Sequence, residues 1–132
     1  MGTRSTSYNC WLVERFWQLM GENDFFKVGE VLHDSFVLEW PQTNERIVGR
    51  ERFGIINRDY PAAGLWTFQI NRLVEGADEV VTDVTVSDGT RIDRSIAFFE
   101  LRDGLIIRIV EYWPEPSAAP EERHGLTEPL EG

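Results

Sequence analysis

Cysteine is almost absent from this 132-residue chain: Cys10 stands alone, so no intramolecular disulfide can form. As a lone thiol, Cys10 is read either as reactive or as a buried structural residue of a helix. Long apolar runs are missing too, none approaching the roughly 18 residues that span a membrane. The opening Met1-Gly2-Thr3-Arg4-Ser5-Thr6-Ser7 lacks the apolar stretch of an export signal. The cytoplasm is therefore the expected compartment. Histidine is scarce, and His33 and His124 form no His-x-His or clustered ligand spacing. No metal site is expected. Gly-rich phosphate loops, nucleophile elbows and Ser/His/Asp spacings are lacking, and nothing calls for a cofactor. Positive charge is in deficit. A formal net charge of -10 argues against nucleic acid, whose affinity comes largely from neutralised phosphates. Glu115, Glu121, Glu122, Glu128 and Glu131 all follow the last expected strand, so the body of the chain is only mildly acidic.

What the chain does hold is aromatic bulk, with five tryptophans and eight phenylalanines. Some must build the core, but such a supply also suits a pocket that grips an apolar molecule. Ser5 or Ser7 is placed to cap a first helix running to about Gly21. Leu12, Phe16, Leu19 and Met20 recur there at helical spacing, with Trp17 beside them. Asn23-Asp24 is read as restarting a second helix with Phe25, Val28, Val31 and Leu32 inward. Phe36 to Trp40 reads as a strand stopped by Pro41, and residues 42–45 as a turn. Gly49 opens a third expected helix, about Arg50 to Tyr60, with Phe53, Ile56 and Tyr60 on one face.

From Leu65 the period changes to two: Trp66, Phe68 and Ile70 alternate with Thr67, Gln69 and Asn71. Further strands are expected over Glu79–Val86, Ile92–Leu101 and Leu105–Trp113, with turns at Ser87-Asp88-Gly89 and Arg102-Asp103-Gly104. Three helices and a strand followed by an antiparallel meander make an α+β domain. Its expected bounds are residues 1–114. Residues 115–132 form an acidic tail punctuated by proline.

Particular segments carry a resemblance: Phe16-Trp17-Gln18-Leu19-Met20, Asn23-Asp24-Phe25, Leu32-His33-Asp34-Ser35-Phe36 and Glu39-Trp40-Pro41-Gln42. Glu45 to Arg50, Asn57-Arg58-Asp59-Tyr60-Pro61 and Glu111-Tyr112-Trp113-Pro114 extend it over about residues 10 to 115. In these the chain resembles SnoaL-like proteins of the nuclear transport factor 2-like superfamily. The resemblance implies a cone, with three N-terminal helices packed on a curved, mainly antiparallel sheet around a cavity. It does not imply one activity, since the superfamily spans isomerases, hydrolases, cyclases, dehydratases and non-catalytic binders. Against ketosteroid isomerases, the oxyanion tyrosine falls on Phe16, the carboxylate base on Trp40 and the protonated aspartate near Ala97. None of these can serve, which argues against steroid-type isomerisation. Against limonene epoxide hydrolases, the last-strand aspartate falls on Glu111 and the other on Asp83, but the arginine falls on Val81.

Strand alternation allows an independent reading. If Glu111 faces the cavity, Ile107, Ile109 and Trp113 do so as well, leaving Ile106, Arg108, Val110 and Tyr112 outside. An outer face so apolar suits a partner subunit, and a homodimer through the outer sheet is expected. Glu111 is then either an acid/base group, its pKa raised by burial, or a structural acid bonded to Trp40, Tyr60 or backbone. Asp83 is either a second cavity acid or a solvated residue. Trp17, Trp40, Trp66 and Trp113 are the expected pocket walls, with Asn57 and Tyr60 offering polar ends at its mouth. His33 is read as a surface residue or a catalytic one, and Arg46 and Arg50 as solvated or rim residues. The expected ligand is a small, largely apolar molecule. Three functions fit: cofactor-free acid/base catalysis by Glu111, alone or with Asp83, binding without turnover, or a structural role in an assembly, which the acidic tail and apolar outer sheet would also suit.

Overall fold

A computed structural model describes residues 7–131 of the chain. Helix α1 (Tyr8–Met20) starts where Ser7 accepts a hydrogen bond from the Cys10 amide, at 3.1 Å. Ser5, the other expected cap, lies outside the described residues. The helix buries Leu12, Val13, Phe16, Trp17, Leu19 and Met20, the stripe that its period demands. Asn23 then takes a left-handed backbone, φ 62°.

The second expected α-helix does not form. Its place is taken by a short 3₁₀ turn, Lys27–Val31, and the chain is already extended from Leu32. Val28 and Val31 are three residues apart, a spacing that a 3₁₀ turn of three residues satisfies as well as an α-helix. Both are buried without a full helix. Strand β1 thus runs Leu32–Trp40, four residues longer at its start than expected. The expected turn at residues 42–45 leads into an unexpected short strand, β2 (Glu45–Val48), with Asn44 at φ 58°. Gly49, at φ 90°, occupies the N-cap of helix α2 (Arg50–Arg58), where a residue with a Cβ would be strained. That helix ends before Tyr60.

Strands β3 (Thr67–Glu75), β4 (Glu79–Ser87), β5 (Ile92–Arg102) and β6 (Leu105–Tyr112) follow the expected meander. The six-stranded sheet has the order β2-β1-β6-β5-β4-β3. Among the described residues only β1 and β6 run parallel, so the sheet is mainly antiparallel as expected. Helix α1 covers one face, where Phe16 meets Phe99 at 5.2 Å and the Trp17 indole N–H donates to Thr82 Oγ1 at 3.3 Å.

Alternation along β6 is broken once. Leu101 pairs with Ile106 but Glu100 with Arg108, so Ile107 is an extra, unpaired residue. This bulge turns Ile106 into the core, fully buried, and moves Ile107 off the cavity face. Both placements reverse the strict-alternation reading. Past the bulge, Ile109 and Glu111 face inward as expected. The tail carries one short 3₁₀ turn, Glu121–Arg123, and its residues from Glu115 to Glu131 are exposed. Among the described residues no helix is long and apolar enough to cross a membrane.

Candidate functional site

A cavity of about 590 Å³ opens at one end of the sheet, between α1, α2 and the concave strand faces. Ten of its lining side chains are aromatic, Phe16, Phe53 and Phe99 among them, so its interior is apolar. The six residues expected to bind ligand (Trp17, Trp40, Asn57, Tyr60, Trp66 and Trp113) all line it. They reach it differently. Trp17 is buried on α1, while Trp40, Trp66 and Trp113 are half-buried around the wall. Asn57 spends its amide on the Phe53 carbonyl at 2.8 Å, one helical turn back, which holds the side chain against α2. Tyr60, 47 % exposed, meets the Trp66 ring edge-on at 6.1 Å and forms part of the rim.

Two side-chain clamps hold that rim. Asn23 grips the Trp66 backbone from both sides, accepting from its amide at 2.8 Å and donating to its carbonyl at 3.0 Å. Asp88 accepts from the amides of Ala63, Thr90 and Arg91, tying the loop before β3 to the β4–β5 turn. Those three donors favour its anion and hold its pKa down at about 2.

Glu111 is the acid of the cavity wall. It is 7 % exposed and projects from β6. The Trp40 indole N–H donates to its Oε1 at 2.9 Å, and the Ser95 hydroxyl donates to its Oε2 at 2.6 Å. Burial pushes its pKa up from the usual carboxylate range, and the Ser95, Trp40 and Trp113 donors only partly oppose that shift. The Trp40 bond was one of the structural partners weighed for Glu111. Ser95 went unrecognised. It sits on β5 two residues before Ala97, the cross-strand partner of Glu111, a relation visible only once the register is known.

Asp83 is not in the cavity, contrary to the reading that made it a second acid. On β4 the inward side chains are Val80, Thr82, Val84 and Val86, so Asp83 belongs to the opposite face. There it is buried under two guanidinium groups. Arg94 Nε lies 2.5 Å from one carboxylate oxygen, and Arg72 Nη2 2.8 Å from the other. These bonds, Arg94 first, hold its carboxyl far below the usual range. Such an anion is a fixed structural charge, unsuited to moving protons near neutral pH.

The mouth is polar. Gln42, Thr43, Glu45, Arg91, Asp93 and Glu115 line it, and the Gln42 carbonyl oxygen accepts from the Trp113 amide at 2.5 Å. Arg91 Nε donates to Asp93 at 2.6 Å. None of these mouth residues was singled out as a site residue from sequence. The other residues weighed lie elsewhere. His33 Nδ1 accepts from the Ser35 amide at 2.9 Å, so its Nε2–H donates to Asp103 on the surface at 3.3 Å. Arg46 pairs with Glu39 and Arg50 with Asp34, outside the cavity lining. Cys10 is only half-buried, its Sγ 3.5 Å from a Glu75 oxygen. Among the described residues no group of three or more His, Cys, Asp or Glu side chains could hold a metal ion.

A curved sheet covered by α1 around a cavity is the geometry that the sequence resemblance implied, with two α-helices in place of the three expected. The family model of the SnoaL-like domain matches residues 13–109, well over half of the chain. The chain belongs to the SnoaL-like domain family. Solved structures place this SnoaL-like protein in the nuclear transport factor 2-like fold. One is a candidate ketosteroid isomerase from Kribbella flavida, at 26 % identity and a TM-score of 0.86, covering 95 % of this chain and 91 % of that one. Another is a nuclear transport factor 2-like protein of unknown function from Burkholderia xenovorans, at 22 % identity and a TM-score of 0.76, covering 93 % and 95 %. An epoxide hydrolase of the limonene epoxide hydrolase-like type from M. tuberculosis is 25 % identical, with a TM-score of 0.67 over 83 % and 84 % of the two chains. No curated protein matches the chain in sequence.

Proposed function

We propose that this SnoaL-like protein takes a small, largely apolar molecule into its aromatic cavity and moves a proton on it with Glu111, without a cofactor. The observation that carries this reading is Glu111 itself: a carboxyl 7 % exposed in the wall of an apolar cavity, oriented by Trp40 and Ser95. Each oxygen accepts one hydrogen bond and keeps a lone pair for a ligand. Burial brings the pKa toward neutrality, where a carboxyl is most useful as acid or base. Hydrolase, cyclase or isomerase chemistry all need such a group. Trp17, Trp66 and Trp113 supply the apolar contact, and Asn57 and Tyr60 meet the ligand's polar parts.

A second reading, binding without turnover, is favoured by the position of Asp83. With Asp83 on the other face, the two-acid arrangement of the epoxide hydrolases is not reproduced by Glu111 and Asp83. Tryptophan fluorescence separates the readings when combined with turnover assays on styrene oxide and a steroid enone. Quenching in both the wild type and Glu111→Gln, with turnover lost only in the variant, supports catalysis. Quenching without turnover in either supports the binding reading, and the absence of quenching removes the cavity as a ligand site.

The functional unit in this proposal is residues 1–114, with 115–132 as an appended tail, working in the cytoplasm as a homodimer. The outer sheet face supports the dimer. Ile96, Phe98, Val110 and Tyr112 form a contiguous patch there, with the Phe98 and Tyr112 rings edge-on at 6.2 Å.

A further inference from the structure

The charges around the cavity are lopsided. Among the described residues, Glu45, Asp93, Glu111 and Glu115 line it against a single base, Arg91. That base is already matched, since Arg91 Nε donates to Asp93 at 2.6 Å. Glu45 accepts only from the Thr43 hydroxyl, at 2.6 Å, and neither it nor Glu115 has an ion-pair partner among the described residues. The remaining titratable group of the lining is Tyr60, at the rim after α2. From the α1 side the cavity receives Phe16, Trp17, Met20 and Phe25, none of them charged.

These features select for the sign of a ligand. Glu111 has only neutral donors, Ser95, Trp40 and more weakly Trp113, and no counter-ion among the described residues, so its buried anion is under-compensated. A neutral apolar ligand removes the remaining water and makes that worse. An anionic ligand meets four acids. A cationic ligand supplies the missing counter-charge, and aromatic walls stabilise an organic cation through their ring quadrupoles.

We propose that the ligand of this cavity is an apolar amine, its ammonium group seated against Glu111 between Trp40 and Trp113 and its hydrocarbon body against the aromatic wall. The inference rests on the cavity being a small-molecule site and narrows the class of molecule it takes. It holds for binding whether or not turnover follows.

Three probes of one shape test it: 1-adamantylmethylamine, 1-adamantanemethanol and 1-adamantanecarboxylate. Each is titrated by tryptophan fluorescence at pH 7.5 into the full chain and into Glu111→Gln. In parallel the Glu111 carboxyl is followed by carbon-13 NMR through its pH titration. The amine is expected to bind at least tenfold more tightly than the alcohol, and the carboxylate at least tenfold more weakly. Glu111→Gln should reduce the amine's advantage over the alcohol to threefold or less. The NMR signature is one of sign: the amine lowers the Glu111 midpoint, whereas the alcohol raises it. Equal binding of alcohol and amine, or an amine advantage that survives in Glu111→Gln, overturns the inference but leaves the apolar cavity as a ligand site. Failure of all three probes to bind overturns both.

Discussion

Replacing Ser95 by alanine gives the most direct test of how Glu111 is held. Ser95 is fully buried, and its hydroxyl lies 2.6 Å from Glu111 Oε2. The substitution removes one oxygen and leaves the backbone ladder of β5 intact. When Glu111 is ionised the lost bond is charge-assisted and costs about 1.5–3 kcal/mol. With Glu111 protonated it is a neutral bond, for which about 0.5–1.5 kcal/mol is usual. The difference, on the order of 1–1.5 kcal/mol, must reappear as an upward displacement of the Glu111 midpoint by about one pH unit, since 1.36 kcal/mol corresponds to one unit. The sign follows from the donor: a hydroxyl that stabilises the anion lowers the pKa, and its removal raises it. Two independent measurements therefore have to agree. Urea unfolding at either end of the titration gives the energetic difference, and carboxyl NMR gives the midpoint. An equal loss of stability at both ends, or a midpoint that stays still or falls, would refute the idea that Ser95 serves the ionised form.

Other outcomes follow from the same geometry. Glu111→Gln should stabilise the protein relative to wild type at alkaline pH. A carboxyl whose folded pKa is raised opposes folding once ionised: stability falls as pH rises from the unfolded value of about 4.3 through the folded one, and Gln escapes that fall. The gap in urea midpoints should close at acid pH. Asp83→Asn should lose about 1.5–3 kcal/mol at neutral pH, as its bonds to Arg72 and Arg94 cease to be ionic, while leaving ligand binding in the cavity unchanged. Because the Asp83 pKa is depressed, that contribution is present above about pH 3.9 and disappears as pH falls through the folded value; chemical denaturation across the acid range reads it. Phe98→Asp, on the outer face, should turn the proposed dimer into monomer in sedimentation velocity with tryptophan quenching retained. An unaltered sedimentation coefficient would place the interface elsewhere.

Much of the site was legible in the residue pattern, for physical reasons that differ from place to place. The aromatic residues of the cavity had few other places to go in a chain of this size; Trp17 and Trp40 fall on elements whose period is strong, and Trp66 and Trp113 directly border strands β3 and β6. Glu111 was legible because it lies past the bulge, where alternation with Ile109 holds to the end of β6. The mouth was not. Arg91 and Asp93, two residues apart, pair locally, but they reach the cavity mouth through the β4–β5 turn that Asp88 pins.

The sequence by itself determined the local elements: the stripe of α1, the meander and its Asp-Gly turns, and the relative faces of neighbouring residues within each strand. Absolute faces and registers were decided by tertiary structure. Strand β4 carries apolar residues on both parities, Val81 as well as Val80, Val84 and Val86. Alternation alone could not say which side Asp83 would take. Helix α1 chose, by laying Trp17 against Thr82 and leaving Asp83 to Arg72 and Arg94. The bulge at Ile107 likewise exchanged Ile106 and Ile107 between faces, because one extra residue in a ladder of period two inverts everything on one side of it. The pairing of Ser95 with Glu111 depends on that same register. It is a contact between strands, and no pattern within either strand contains it.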